Sequence, residues 1–298
     1  MASNIIEFFG YSPQDNSAAA QQARTKQECP FLGRTCTKTL SDGSVSGACT
    51  LQPKTAGPVI CCPIRLYAGN YQILQDVTQQ SFGAGKTLVP GDAITKFRTT
   101  HPGQDCIAVF GKRWGGELHL PSRGKGGAYF VDWILAHIDA TGQLVSFVAA
   151  EVQSIDTTGN YQAERLAYLK GRTFAGSSTA GFNWENVNKR ILPQIIYKGH
   201  VLRREPLCSK GLFFICPTPV YNKIQERLGN SLQPIHQQAG SLTMMWYDIG
   251  PTVPAGKIRQ LQRIGQFTTT VDSVALAFTA PSNLPPPQVY EQAIKAAL

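Results

Sequence analysis

The apolar run at residues 144–152, LVSFVAAEV, predicts a buried strand interrupted by one carboxylate, Glu151, with Gln153 two positions further on. The YFVDW segment before it predicts a neighbouring strand in which Asp132 is flanked by apolar residues. Strand side chains alternate between faces, so Glu151 and Gln153 should project from the same one. With Asp132 on the adjacent strand, two carboxylates and an amide would converge. Buried carboxylates are costly unless paired, and a divalent cation is a usual partner. The pattern predicts a metal-dependent hydrolase.

The remaining pattern alternates strands with helices. Strand signals dominate residues 106–155, broken by glycines at 115–116 and 124–127, and recur in GLFFIC at 211–216 and at 241–248. Helical spacing is expected over 71–80, over 160–170 with Ala163, Leu166, Ala167 and Leu169 inward, and over 183–198. In the last of these Trp184, Val187, Ile191 and Ile195 mark the buried stripe, and Pro193 is expected to kink it or restrict its hydrogen bonding. A proline-rich stretch at 281–287 precedes a short C-terminal helix. The class is α/β.

Composition adds bounds. The 298 residues are 42% hydrophobic and 16% charged, which supplies a full core and excludes a disordered chain. Lys and Arg number 28 against 19 Asp and Glu, a net charge of +9 that suits a polyanionic partner. No apolar stretch is long enough to span a bilayer, and no secretory signal is visible, so a cytoplasmic location is expected. There the eight cysteines would be reduced unless bound to metal.

Cys29, Cys36, Cys49 and Cys62 fall among turn-forming residues, separated by six, twelve and twelve residues. A loop-rich segment lacks a core of its own, and a tetrahedral four-thiolate site would fold it. Zinc and iron both accept such a site. Cys61 adjoins Cys62 and is the alternative fourth ligand; Cys62 is favoured because Cys-Pro also occurs at Cys29. Cys106, Cys208 and Cys216 read as buried core thiols. The five histidines show no ligand spacing, and Gly85-Lys86-Thr87 lacks the first glycine of a phosphate loop.

Several motifs then share one resemblance. EFFGYSP at 7–13, CPFL at 29–32, CPIRLY at 62–67, GGEL at 115–118, VDW at 131–133, EVQSID at 151–156 and NWENVNKRILPQIIYKG at 183–199 resemble the NotI/EagI-like Type II restriction endonucleases, nearer EagI in length. The resemblance implies a restriction-endonuclease-like core of the PD-(D/E)xK superfamily: a mixed central sheet flanked by helices, at 68–298. It also implies a small N-terminal metal-bound module at 1–67, with Cys29, Cys36, Cys49 and Cys62 holding structural iron, zinc being possible. The implied active site is Glu117, Asp132, Glu151 and Gln153, with Mg²⁺ on Glu117, Asp132 and Glu151.

Mg²⁺ would lower the pKa of a water and relieve phosphate charge, and Gln153, uncharged where this superfamily carries lysine, leaves more of that work to the cation. The expected function is Mg²⁺-dependent hydrolysis of double-stranded DNA at a short GC-rich palindrome, by a homodimer, in a prokaryotic cytoplasm. Lys112, Arg113, Arg123, Lys125, Lys189 and Arg190 are candidate phosphate contacts, and the SRGKGG loop at 122–127 could carry two of them. The alternatives are a nuclease of the same fold acting on modified DNA or repair structures, and a non-catalytic DNA-binding protein.

Overall fold

The Leu144–Val152 strand lies at the middle of a mixed sheet, which accounts for its apolar run: both of its faces are covered. The computed structural model describes residues 3–54, 56–116, 118, 130–280, 284 and 286–298. Glu117, Arg123, Lys125 and the SRGKGG loop lie outside the described residues. Seven strands run in the order Leu261–Thr270, Ser241–Ile249, Leu212–Pro217, Leu144–Val152, Trp133–Ile138, Cys106–Phe110 and Leu88–Pro90. The central strand pairs parallel with Leu212–Pro217 and antiparallel with Trp133–Ile138. This is the mixed α/β core that the motifs imply.

Each face has its own apolar layer. One face buries Val148, Ala150 and Val152 against Ile73, Leu74 and Val77 of the Ala68–Phe82 helix. The opposite face buries Ala149 and Phe214 against three helices, Leu192–Leu202, Thr218–Leu228 and Val271–Thr279. By alternation Glu151 lies on this second face. Leu212–Pro217 is buried at every position, as its unbroken apolar run requires.

The N-terminal segment builds a separate three-stranded sheet from Ser3–Phe8, Ala48–Pro53 and Val59–Ile60. It joins the rest through apolar and ionic contacts. Cys29, Ile60, Cys62 and Ile64 belong to the same apolar layer as Leu74 and Val109. Arg65, fully buried, donates to both carboxylate oxygens of Glu7 at 2.9 and 3.0 Å and to the Arg259 carbonyl at 2.7 Å.

Two helices depart from their apolar pattern. Gln162–Leu169 buries Glu164, Arg165 and Tyr168 and leaves Ala163 and Leu166 exposed, so the expected inward stripe is wrong. The reason is polar. Glu164 accepts from the Ile5 amide at 2.9 Å and the Tyr168 hydroxyl at 3.0 Å, while Arg165 donates to the Val45 carbonyl at 2.6 Å. Pro193 does not kink a single helix. A π-helical turn, Val187–Ile191, closes with the Leu192 amide on the Val187 carbonyl, and Pro193 then sits in the first turn of Leu192–Leu202. The change from π to α pattern at this proline is the restricted hydrogen bonding that its missing N–H allows.

Candidate active site

The register that pairs Trp133 with Ala150 brings Asp132, one step beyond it, beside Glu151. Trp133 belongs to the first apolar layer, so Asp132 turns to the other face, the one Glu151 occupies. Asp132 Oδ2 accepts from the Val152 amide at 2.8 Å. Glu151 is 2% exposed. Gln153 Nε2 donates to Glu151 Oε1 at 3.1 Å, so the expected convergence of Asp132, Glu151 and Gln153 is present.

Burial, and after it the charge of Glu151, pushes the Asp132 carboxyl up to about 6. The Val152 amide, Lys198 and Arg113 pull in the other direction. The consequence for stability has a definite sign. A carboxyl whose folded pKa is raised contributes stability present below its ordinary pKa and lost as pH rises through the folded one. Asp132→Asn, without divalent cation, is therefore expected to melt above the wild type at about pH 8 and alongside it at about pH 4. Melting curves of both proteins at the two pH values check this; equal behaviour at the higher pH would contradict it.

Pattern reading missed Lys198. Its Nζ lies 2.6 Å from Glu151 Oε1, the oxygen that Gln153 also contacts. Glu151 Oε2 is buried without a hydrogen-bond partner among the described residues. The carboxylate is thus held through one oxygen by two donors while the other is left unpaired. A signal was available. Ile191, Ile195 and Leu202 mark the buried stripe, and Lys198 falls on it, a lysine among apolar positions.

Arg113 stands close enough to act on both Asp132 and Tyr67, with its guanidinium carbon 5.7 Å from the Tyr67 ring centre. Its Nη1 is buried without a hydrogen-bond partner among the described residues. Lys112 is exposed. Lys189 and Arg190 are exposed too, paired with Glu185 at 3.6 Å and Asp156 at 3.2 Å.

The N-terminal cysteines gather at a second place. Cys29, Cys36, Cys49 and Cys62 all line one cavity of about 10 Å³, roughly the space of one small ion or water. Burial pushes the Cys29 thiol up to about 12, with the thiols of Cys62 and Cys36 adding to it. It raises Cys49 and Cys62 as well. Cys61 faces elsewhere: Lys38 Nζ donates to its carbonyl at 2.9 Å and its sulfur at 3.4 Å. Burial alone would lower the pKa of this ammonium, but the Cys61 and Cys62 thiols and the Tyr161 hydroxyl hold it above the usual lysine range. Among the described residues, no three His, Cys, Asp or Glu side chains are arranged so that they could hold a metal ion as they stand.

The family model for restriction endonuclease NotI matches residues 14–224. The chain belongs to the NotI restriction endonuclease family. It is a Type II site-specific deoxyribonuclease, a hydrolase that acts on double-stranded DNA. The matched span of the NotI family holds Asp132, Glu151, Gln153, Lys198 and all four clustered cysteines. A comparison with curated proteins finds no match. No helix among the described residues is long and apolar enough to cross a membrane.

Proposed function

We propose that this NotI-family enzyme hydrolyses DNA at the Asp132–Glu151 pair, that it needs Mg²⁺, and that it cuts a short GC-rich palindrome as a homodimer. The observation that carries the reading is the open, buried Glu151 Oε2 beside a second carboxylate at the ends of paired strands. An unpartnered carboxylate oxygen in a buried site fits a hard cation, and one or two carboxylates suffice because Mg²⁺ keeps several waters. When bound, Mg²⁺ supplies charge relief at the phosphate and a more acidic water.

The chain's own groups have separate tasks. Asp132 and Glu151 hold the cation, with Glu117 as the proposed third carboxylate. Gln153 orients the attacking water and Glu151. Arg113 binds a phosphate oxygen through its free N–H. The water oxygen forms the new bond to phosphorus and gives its proton to solvent. The bond to the 3′ oxygen breaks, and that oxygen takes a proton from water. Lys112, Arg123, Lys125, Lys189 and Arg190 are proposed phosphate contacts; Lys189 and Arg190 would exchange their present carboxylate partners for phosphate.

A palindrome has two-fold symmetry, which a homodimer with one active site per strand matches. Sequencing the fragment ends from unmodified phage DNA tests this part. Ends related by a two-fold axis around one GC-rich sequence are expected; scattered ends, or cutting of modified DNA alone, would contradict it.

In the same reading residues 1–67 form a module held by a structural metal, iron or zinc, on Cys29, Cys36, Cys49 and Cys62. The single cavity they share supports the set, and the Lys38 ammonium would offset part of the thiolate charge at Cys62. With four thiolates the metal has no open position for catalysis, so it acts on stability. Cys36→Ser is expected to purify without the metal and to melt at lower temperature. Elemental analysis beside the wild type checks this, and unchanged metal content removes Cys36 from the ligand set.

A further inference from the structure

We propose that Lys198 supplies the cutting centre with the positive charge that Gln153 lacks. The inference rests on reading Asp132 and Glu151 as that centre. Two donors meet on one atom: Lys198 Nζ at 2.6 Å and Gln153 Nε2 at 3.1 Å both contact Glu151 Oε1. A charged group on the Leu192–Leu202 helix therefore reaches the same point as an uncharged one on the strand end. An amide donates a hydrogen bond but cannot offset the charge that gathers on phosphorus-bound oxygens as the attacking water adds. An ammonium can.

The surroundings strengthen the effect. Lys198 borders an apolar cleft of about 440 Å³ whose wall includes Phe110, Val131, Ile134, Phe147 and Leu202. Its side chain is 21% exposed, so the ammonium is partly shielded from water. Helix and strand are rigid, packed elements, which keeps the charge in place before DNA arrives. As the new bond to phosphorus forms and the bond to the 3′ oxygen breaks, Lys198 keeps its proton and acts only through its charge.

The test moves the charge. Single-turnover cleavage and DNA binding in Ca²⁺ are measured for the wild type, Lys198→Met, Lys198→Gln, Lys198→Arg and the double variant Lys198→Met/Gln153→Lys. Lys198→Met is expected to cut about 10²-fold slower or worse, the scale of losing one preorganised electrostatic contact, while still binding DNA. Lys198→Gln, which keeps a donor without charge, should be equally slow. Lys198→Arg and the double variant should both recover at least about tenfold over Lys198→Met.

Wild-type rates in Lys198→Met or Lys198→Gln would overturn the inference. So would a double variant and an arginine variant that are both no faster than Lys198→Met, since the lysine would then be structural. Glu151→Ala, assayed beside them, separates the two readings. Normal cutting by Glu151→Ala removes the centre itself; normal cutting by Lys198→Met with inactive Glu151→Ala removes only the role of Lys198.

Discussion

Glu151→Ala is expected to lower single-turnover cleavage by at least about three orders of magnitude while leaving DNA binding in place. The size follows from what the side chain does in two directions. In the proposed site its unpartnered Oε2 would take the cation, and its Oε1 holds both Lys198 and Gln153. Removing it would lose the proposed cation ligand and free two donors at once. On stability the change acts in two directions: it removes the repulsion between Asp132 and Glu151, and it leaves the Lys198 ammonium without its carboxylate. A protein that still folds and binds DNA, with cutting abolished, is the expected combination in melting and cleavage assays. An unfolded variant would make Glu151 structural, and a fully active one would move the chemistry elsewhere.

Arg65→Met is expected to destabilise the protein by about 3–5 kcal/mol, the cost of leaving one member of a buried pair alone. Among the described residues Glu7 would keep its hydrogen bond from the Thr50 hydroxyl and only the more distant charge of Arg259. The Arg259 carbonyl would lose its guanidinium donor as well, loosening the tie between the N-terminal sheet and the loop before the Leu261–Thr270 strand. Arg65 also lies over the Phe31 ring at 5.0 Å, close to the cysteine loops. Adding Glu7→Gln should restore much of the loss, since the orphaned charge is then gone. Denaturant unfolding of the single and double variants measures both steps. A single variant as stable as the wild type would show that the N-terminal sheet is held by its apolar contacts alone.

Much of the core was readable because its strands carry period-two or fully apolar patterns. Leu212–Pro217 and Ser241–Ile249 follow from their sequences, and so does the shared face of Glu151 and Gln153. Contacts between distant parts of the chain were not readable. Lys198 meets Glu151 across 47 positions, and Arg65 meets Glu7 across 58. Neither separation leaves a local pattern, because helix and strand must first pack on each other. Lys198 did leave a trace as a charge on an apolar stripe, whereas the order of the strands left none. The Gln162–Leu169 helix failed for a different reason. Its inward face is set by the hydrogen bonds that Glu164 accepts from the Ile5 amide and Arg165 donates to the Val45 carbonyl, and periodicity weighs only apolar residues.

The most direct test of the cutting centre is cleavage of unmodified phage DNA by purified protein with Mg²⁺ or with EDTA, wild type beside Glu151→Ala. Discrete fragments from the wild type in Mg²⁺, and intact DNA in the other three reactions, are the predicted result. Equal fragments in EDTA, or from Glu151→Ala, would contradict the account.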